Sequence, residues 1–199
     1  MLQDLPTELA LDIFREAAKS NVCENRAWVV QLALVSHNVY ELVRPVLYHT
    51  MVIDLQNQDV VFDLADDALH GEITARNVFH SVRRLSITFD IGSMWNTPGF
   101  RWSRDMFPRL FVFVTEFNAS FTILAALSRT LQFQPRRVAV IWASLWDIKL
   151  HVLPHTLKQV THIEGYLPTS FESNPYTPRE WILAILGALP AVTHIGFRQ

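Results

Sequence analysis

Cysteine is almost absent: the chain of 199 residues holds one, Cys23. A single thiol excludes an internal disulfide and leaves no cysteine-based metal site, so a reducing compartment, cytoplasm or nucleus, is expected. Glycine is scarce too, with six residues in all. They compose no phosphate loop, no dinucleotide fingerprint and no Gly-x-Ser-x-Gly elbow. Neither sign of charge is in excess, with 17 Lys and Arg against 19 Asp and Glu and a formal net charge of −2. Binding to nucleic acid or to acidic membranes through a broad basic face is therefore not expected. The pairs Arg83-Arg84 and Arg136-Arg137 are too short to change this. Long apolar runs are missing as well: Val138–Trp146 and Trp181–Val192 fall short of the ~20 residues of a membrane span. Asp4 and Glu8 stand where a secretory signal would carry basic residues and then an apolar run. What the chain does hold is apolar surface, 50% hydrophobic and 12% aromatic, which excludes disorder for its bulk.

The stretch from Leu5 to Met51 is the most patterned. At about 100° per residue, the charged Glu8, Asp12, Arg15, Glu16 and Lys19 share an arc of roughly 100°. Leu9, Ala10, Leu11, Ile13, Phe14, Ala17 and Ala18 fill about 200°, roughly twice what a surface helix needs for its own core. The surplus requires a cover, from this chain or from a partner. Pro6 suits the start of this helix and Glu8 its positive end, and the helix is expected to run to about Lys19. A second helix is expected from Arg26 to about Val35, and a third after Ser36 as its cap. Pro45 should disturb the third.

From Met51 the character changes. Met51–Leu55 reads as a strand and Asp59–Leu69 as a helix. A unit then recurs: Val82-Arg83-Arg84-Leu85-Ser86-Ile87, Pro135-Arg136-Arg137-Val138-Ala139-Val140, Leu157-Lys158-Gln159-Val160-Thr161-His162-Ile163 and Leu189-Pro190-Ala191-Val192-Thr193-His194-Ile195. The tetrapeptide Val-Thr-His-Ile occurs twice, at 160 and 192. Each unit alternates apolar residues and reads as a short strand, with helical stretches at Ser120–Leu131 and Pro178–Leu189 ahead of two of them. Helix then strand, repeated, implies short parallel strands with crossover helices, stacked as an irregular α/β solenoid. A doubly wound α/β domain is the alternative.

Leu5-Pro6, Glu8-Leu9 and Ile13-Phe14, followed by Leu34-Val35-Ser36 and Val39-Tyr40, resemble an F-box. The tail Leu42-Val43-Arg44-Pro45-Val46-Leu47-Tyr48 resembles the end of the F-box in many fungal proteins, where the third helix continues to about Leu47. Val39 stands where many F-boxes carry Trp. The resemblance covers residues 1–50, about a quarter of the chain, and implies a three-helix fold. It also implies that Leu5, Pro6, Leu9, Ile13, Phe14, Val35 and Val39 meet the Skp-family adaptor of a cullin-based ubiquitin ligase, with Leu9 and Phe14 as anchors. Residues 51–199 resemble the degenerate leucine-rich repeats found behind many fungal F-boxes, which implies that they hold a protein substrate. Since the chain ends directly after a strand-like unit without a polar cap, a shortened repeat domain is expected.

Catalysis and metal binding find little support in the residues. His151 and His155 are separated by Pro154, which spoils a helical pair, and no carboxylate or cysteine completes a set with His162. Asp66-Asp67 are adjacent and point apart on a helix, and Cys23 is a lone thiol. Trp95, Phe100 and Trp102 with Arg101 and Arg104 read either as a binding loop or as packing over the sheet. The expectation is an adaptor without cofactor or catalytic residue. The alternatives are a scaffold outside ubiquitin transfer, helices that merely cap the repeats, and an α/β enzyme with converging titratable groups at its strand ends.

Overall fold

In the computed structural model, the described residues are 6–88, 109–120, 123–124, 133–141, 158–166 and 189–198, with five single positions between 179 and 187. Leu5, the 94–106 and 170–178 loops, and His151 and His155 lie outside them, as do most of 120–131 and 178–189.

Three helices come first. α1 (Thr7–Asn21) starts at Pro6, with Glu8 in its first turn and Lys19 in its last, matching the helix dipole at both ends. α2 (Arg26–Ala33) is capped by Asn25, whose Oδ1 accepts from the Trp28 amide at 3.2 Å. α3 (His37–Leu47) is capped by Ser36, whose Oγ accepts from the Val39 amide at 3.3 Å. It continues past Pro45 to Leu47. Pro45 removes a single ladder donor close to the end of the helix, and the Tyr48 amide still donates to the Arg44 carbonyl at 3.0 Å. Val39, Val43 and Leu47 recur every four residues on one face of α3 and meet Ala18, Val29, Leu32 and Ala33 in a small core.

The rest of the described chain is a mixed α/β layer. β1 (Thr50–Ile53) leads into α4 (Gln58–Leu69) and α5 (Ile73–Ser81), then β2 (Arg84–Ile87), β3 (Glu116–Ser120), β4 (Arg137–Ile141), β5 (His162–Tyr166) and β6 (His194–Arg198). Gly71, at φ 100, makes the turn between α4 and α5 in a conformation that side-chain-bearing residues avoid. The six strands form one parallel sheet in the order β1 to β6. That order never reverses, so the described sheet has no switch point of the doubly wound kind.

Alternation along these strands decides which face is covered. Parallel strands buried on both faces read as continuous apolar runs, whereas here most of the alternate positions, from Arg84 and Ser86 to His194 and Gly196, are polar or small. The register aligns Met51, Leu85, Phe117, Val138, Ile163 and Ile195 in one row. That row packs into a second core with Val61, Phe62 and Ala65 of α4 and Ala75 and Phe79 of α5. α4, α5 and Leu110–Phe111 lie on that face, and the core lies between them and the strands. Phe79 meets Phe111 edge to face at 5.2 Å, and Phe117 meets Phe133 in the same way at 5.0 Å.

The four repeated units fall into register, and the structure adds two more at His49-Thr50-Met51 and Val114-Thr115-Glu116-Phe117. In each unit after the first, two successive amides donate to one carbonyl of the unit before it: Arg83 and Arg84 to His49, Thr115 and Glu116 to Arg83, Arg136 and Arg137 to Thr115. Thr161 and His162 repeat this on Arg136, and Thr193 and His194 on Thr161. The hydroxyls of Thr115, Thr161 and Thr193 donate to those same carbonyls.

Phe117 is central to the second core. Phe117→Ala is expected to lower unfolding stability by about 3–5 kcal/mol, while Ser36→Ala, which removes only a helix cap, should cost about 1 kcal/mol. Urea unfolding of both variants checks the contrast.

Candidate functional site

Two surfaces stand out, one apolar on the helices and one polar on the sheet. α1 turns Ala18 fully inward and leaves Phe14 half-buried against the bundle core. Leu11 also packs against that core, whereas Leu9 and Ile13 stay in water, at 49% and 52% exposed. With Pro6 they recur at positions i, i+3 and i+7, so the three form one stripe along α1. The α2–α3 turn exposes Leu34 at 79% and Val35 at 64%. The surplus apolar arc of α1 is therefore left uncovered by the described residues.

Val39 does not join this surface. It is 3% exposed and sits in the bundle core with Val43 and Leu47. Its four-residue spacing to those two residues is what turns it inward, so a direct contact with a partner is corrected to an interior role. Phe14 is divided between core and surface. Of the seven residues implied by the resemblance, Pro6, Leu9, Ile13 and Val35 are exposed, and Leu5 lies outside the described residues.

The opposite flank of α1 borders an open groove of about 1130 Å³ between the bundle and the start of the sheet. Leu11, Val22, Leu42 and Val46 make its apolar part, and Arg15, Lys19, Arg26 and Arg84 stand around it with the carboxylate Glu41. The cations have partners. Arg15 pairs with Asp12 and Lys19 with Glu16, both at 2.8 Å, and Arg26 donates to the Leu47 carbonyl at 3.3 Å.

The polar face of the sheet is more ordered. The register that buries the apolar row sets a second row on the other face: Thr50, Arg84, Glu116, Arg137, His162 and His194. Arg84 Nε donates to Glu116 Oε2 at 2.7 Å and Arg137 Nη1 to Glu116 Oε1 at 3.3 Å, so one carboxylate is held by two guanidiniums from neighbouring strands. The hydrogen bond from Arg84 holds the Glu116 carboxyl below the ordinary carboxylate range, against the opposing effect of partial burial, and Arg137 adds to the lowering. The His162 and His194 rings stack at 4.2 Å with 2° between their planes. Lost hydration pulls the His162 imidazole below its ordinary value, helped by His194 and Arg137 and opposed by Glu164.

A hollow of about 590 Å³ lies over this row, with Ala139 and Gly196 as its smallest lining residues. Asn118 lines it too; its Nδ2 donates to Ser86 Oγ at 3.2 Å, while its Oδ1 is buried and has no hydrogen-bond partner among the described residues. Sequence reasoning missed Glu116 and Asn118. The signal was present in Val114-Thr115-Glu116-Phe117, which repeats the Val-Thr-polar-apolar pattern of 160–163 and 192–195. Among the described residues no three His, Cys, Asp or Glu side chains are grouped to hold a metal ion, and no helix is long and apolar enough to cross a membrane.

The lowered Glu116 carboxyl makes a signed prediction. A carboxylate whose folded value is depressed contributes stability above its unfolded value, and loses that contribution as pH falls through the folded one. The gap in melting temperature between the natural chain and Glu116→Gln is expected to be widest near neutrality, to begin narrowing only as pH falls past the ordinary Glu value of about 4.3, and to vanish below the lower folded value. Thermal melts across that range test this; a gap independent of pH would show that the carboxylate charge is not its source.

Neither a family model, nor a curated protein, nor a solved structure matches this chain.

Proposed function

We propose that the chain is a substrate-receptor subunit of a Skp–cullin–F-box type ubiquitin ligase. In this reading the N-terminal helices are an F-box that docks on the Skp-family adaptor, and the sheet region is a leucine-rich-repeat-like solenoid that recruits a protein substrate. The observation that carries it is the uncovered stripe of Pro6, Leu9 and Ile13 on a helix that already meets its own core through Phe14 and Ala18. An apolar stripe left in water beside a complete core marks an interaction surface better than it serves stability. The two separate cores add support: helices that merely capped the sheet would share its core, whereas Ala18, Val29, Leu32, Val39 and Val43 form a cluster of their own. The adaptor role asks for no chemistry from this chain. Holding a substrate beside other subunits raises its effective concentration there.

Leu9 and Ile13 are the anchors to test, because Phe14 is partly committed to the bundle core. Leu9→Asp/Ile13→Asp is expected to weaken binding of purified Skp-family adaptor by a factor of about 30 or more, as for the loss of at least one hot-spot contact of roughly 2 kcal/mol. Its unfolding stability should stay within about 0.5 kcal/mol of the natural chain, as for surface substitutions. Phe14→Asp should unfold the bundle instead. A folded natural chain that fails to bind the adaptor in calorimetry would overturn the reading.

A further inference from the structure

The repeated Val-Thr-His-Ile produces a geometry that adaptor docking does not use. β5 and β6 set His162 and His194 opposite each other in register, with parallel rings 4.2 Å apart. Both rings are held in the same way. The Thr161 hydroxyl donates to the Arg136 carbonyl at 3.3 Å and lies 2.8 Å from His162 Nδ1. The Thr193 hydroxyl donates to the Thr161 carbonyl at 3.2 Å and lies 2.8 Å from His194 Nδ1. With each hydroxyl proton committed to a carbonyl, its oxygen accepts from Nδ1–H, which leaves Nε2 as the ring atom without a hydrogen bond among the described residues in both histidines.

Two parallel rings anchored identically are related by a translation, so their Nε2 atoms are separated by about the same 4.2 Å as the ring centres. Their lone pairs run side by side and do not converge, which is unsuited to a metal ion that needs ligand atoms aimed at one point. Protonation turns the same two atoms into adjacent N–H donors that can reach two oxygens of one anion. Arg137 is the next residue in the row. The charged groups around His162 favour an anion: His194 and Arg137 oppose its protonation more strongly than Glu164 assists it. Glu116 is occupied by Arg84 and Arg137. Glu164 lies one row along with its stem over Gly196, where an added Cβ would come within 3.3 Å of its Cγ.

We propose that Arg137, His162 and His194 form a proton-gated site for a tetrahedral oxyanion of the phosphate or sulfate class, in the hollow over the open face of the sheet. Three cationic donors in a row complement three oxygens of a tetrahedral anion better than the two of a carboxylate. At low pH the row holds three positive charges and the anion binds. As pH rises through the imidazole range both rings become neutral, Nε2 turns acceptor, and the anion is released. This site stands whether or not the helical stripe docks an adaptor.

Sulfate is the probe, because its charge is constant across the histidine range of about pH 5 to 8. Ring-proton NMR titrations of the full chain are run in sulfate and in chloride at equal ionic strength. The midpoints of His162 and His194 should rise by about half a unit or more in sulfate, equivalent to at least a threefold preference for the protonated ring, while His70, the residue that follows α4 and lies outside the row, serves as the control. Inorganic phosphate and O-phosphoserine should reproduce the rise and acetate should not. His194→Gln, confirmed as folded by its unfolding midpoint, should abolish the His162 response. A His162 shift no larger than that of His70, an equal response to acetate, or a shift that survives in folded His194→Gln would each overturn the proposal.

Discussion

A parallel sheet whose described strands run in sequence order must bury one set of alternating side chains and hydrate the other, and this constraint governs the molecule from Thr50 onward. The row Met51, Leu85, Phe117, Val138, Ile163 and Ile195 is the buried half of it. Because the side-chain period along a strand is two, a one-residue slip of any strand would exchange its faces. A slip of β3 would drive Glu116 and Asn118 into the core, and a slip of β4 would do the same to Arg137. The polar row thus enforces the register that the apolar row rewards. The doubled amide contacts on the carbonyls of His49, Arg83, Thr115, Arg136 and Thr161 start each strand at the same level, so the two rows stay aligned across all six.

The polar row follows from that alignment more than from the energy of its pairs. Exposed ion pairs contribute little each, because water competes for both partners. A carboxylate shared by two guanidiniums is better placed, and Glu116 has that position between Arg84 and Arg137. Further along the same row the charges give way to two imidazoles held by threonine hydroxyls. One end of the face therefore keeps a constant charge above the carboxylate range, two guanidiniums against one carboxylate, while the other carries a charge that depends on pH. That division arises simply because β2, β3 and β4 carry Arg, Glu and Arg where β5 and β6 carry His.

Much of this was legible in the residues. Ser36 marked the start of α3, and Pro6 and Glu8 that of α1. The recurrence of Arg-Arg and Thr-His before alternating apolar residues marked β2, β4, β5 and β6. Two elements were not. β3 has Phe117 and Ala119 as its inward pair, and alanine hardly registers as apolar alternation; the preceding Val114-Thr115 was the better sign. α5 was missed because Ile73–Ser81 mixes Thr, Arg, Asn and His with apolar residues, and its buried face of Ala75, Val78 and Phe79 becomes clear only against α4 and the sheet. Val39 was placed on the surface by resemblance, although its spacing to Val43 and Leu47 already pointed inward. The stacking of His162 on His194 lay beyond sequence reasoning, since the repeat shows equivalent positions but not that β5 and β6 are neighbours.

The division into two cores bears on how the two surfaces can work together. The bundle core is small, seven buried residues centred on Val29 and Val43, and a core of that size contributes only modest stability by itself. Covering the Leu9–Ile13 stripe would add apolar burial at about 25 cal/mol per Å² to an element that has little to spare, so occupancy of that surface would stabilise the helices directly. The sheet core, which runs from Ile53 to Leu189, does not depend on that contact. Binding on the helices can therefore stiffen the bundle without altering the register of the sheet. The helical stripe and the polar row are thus carried by separate cores.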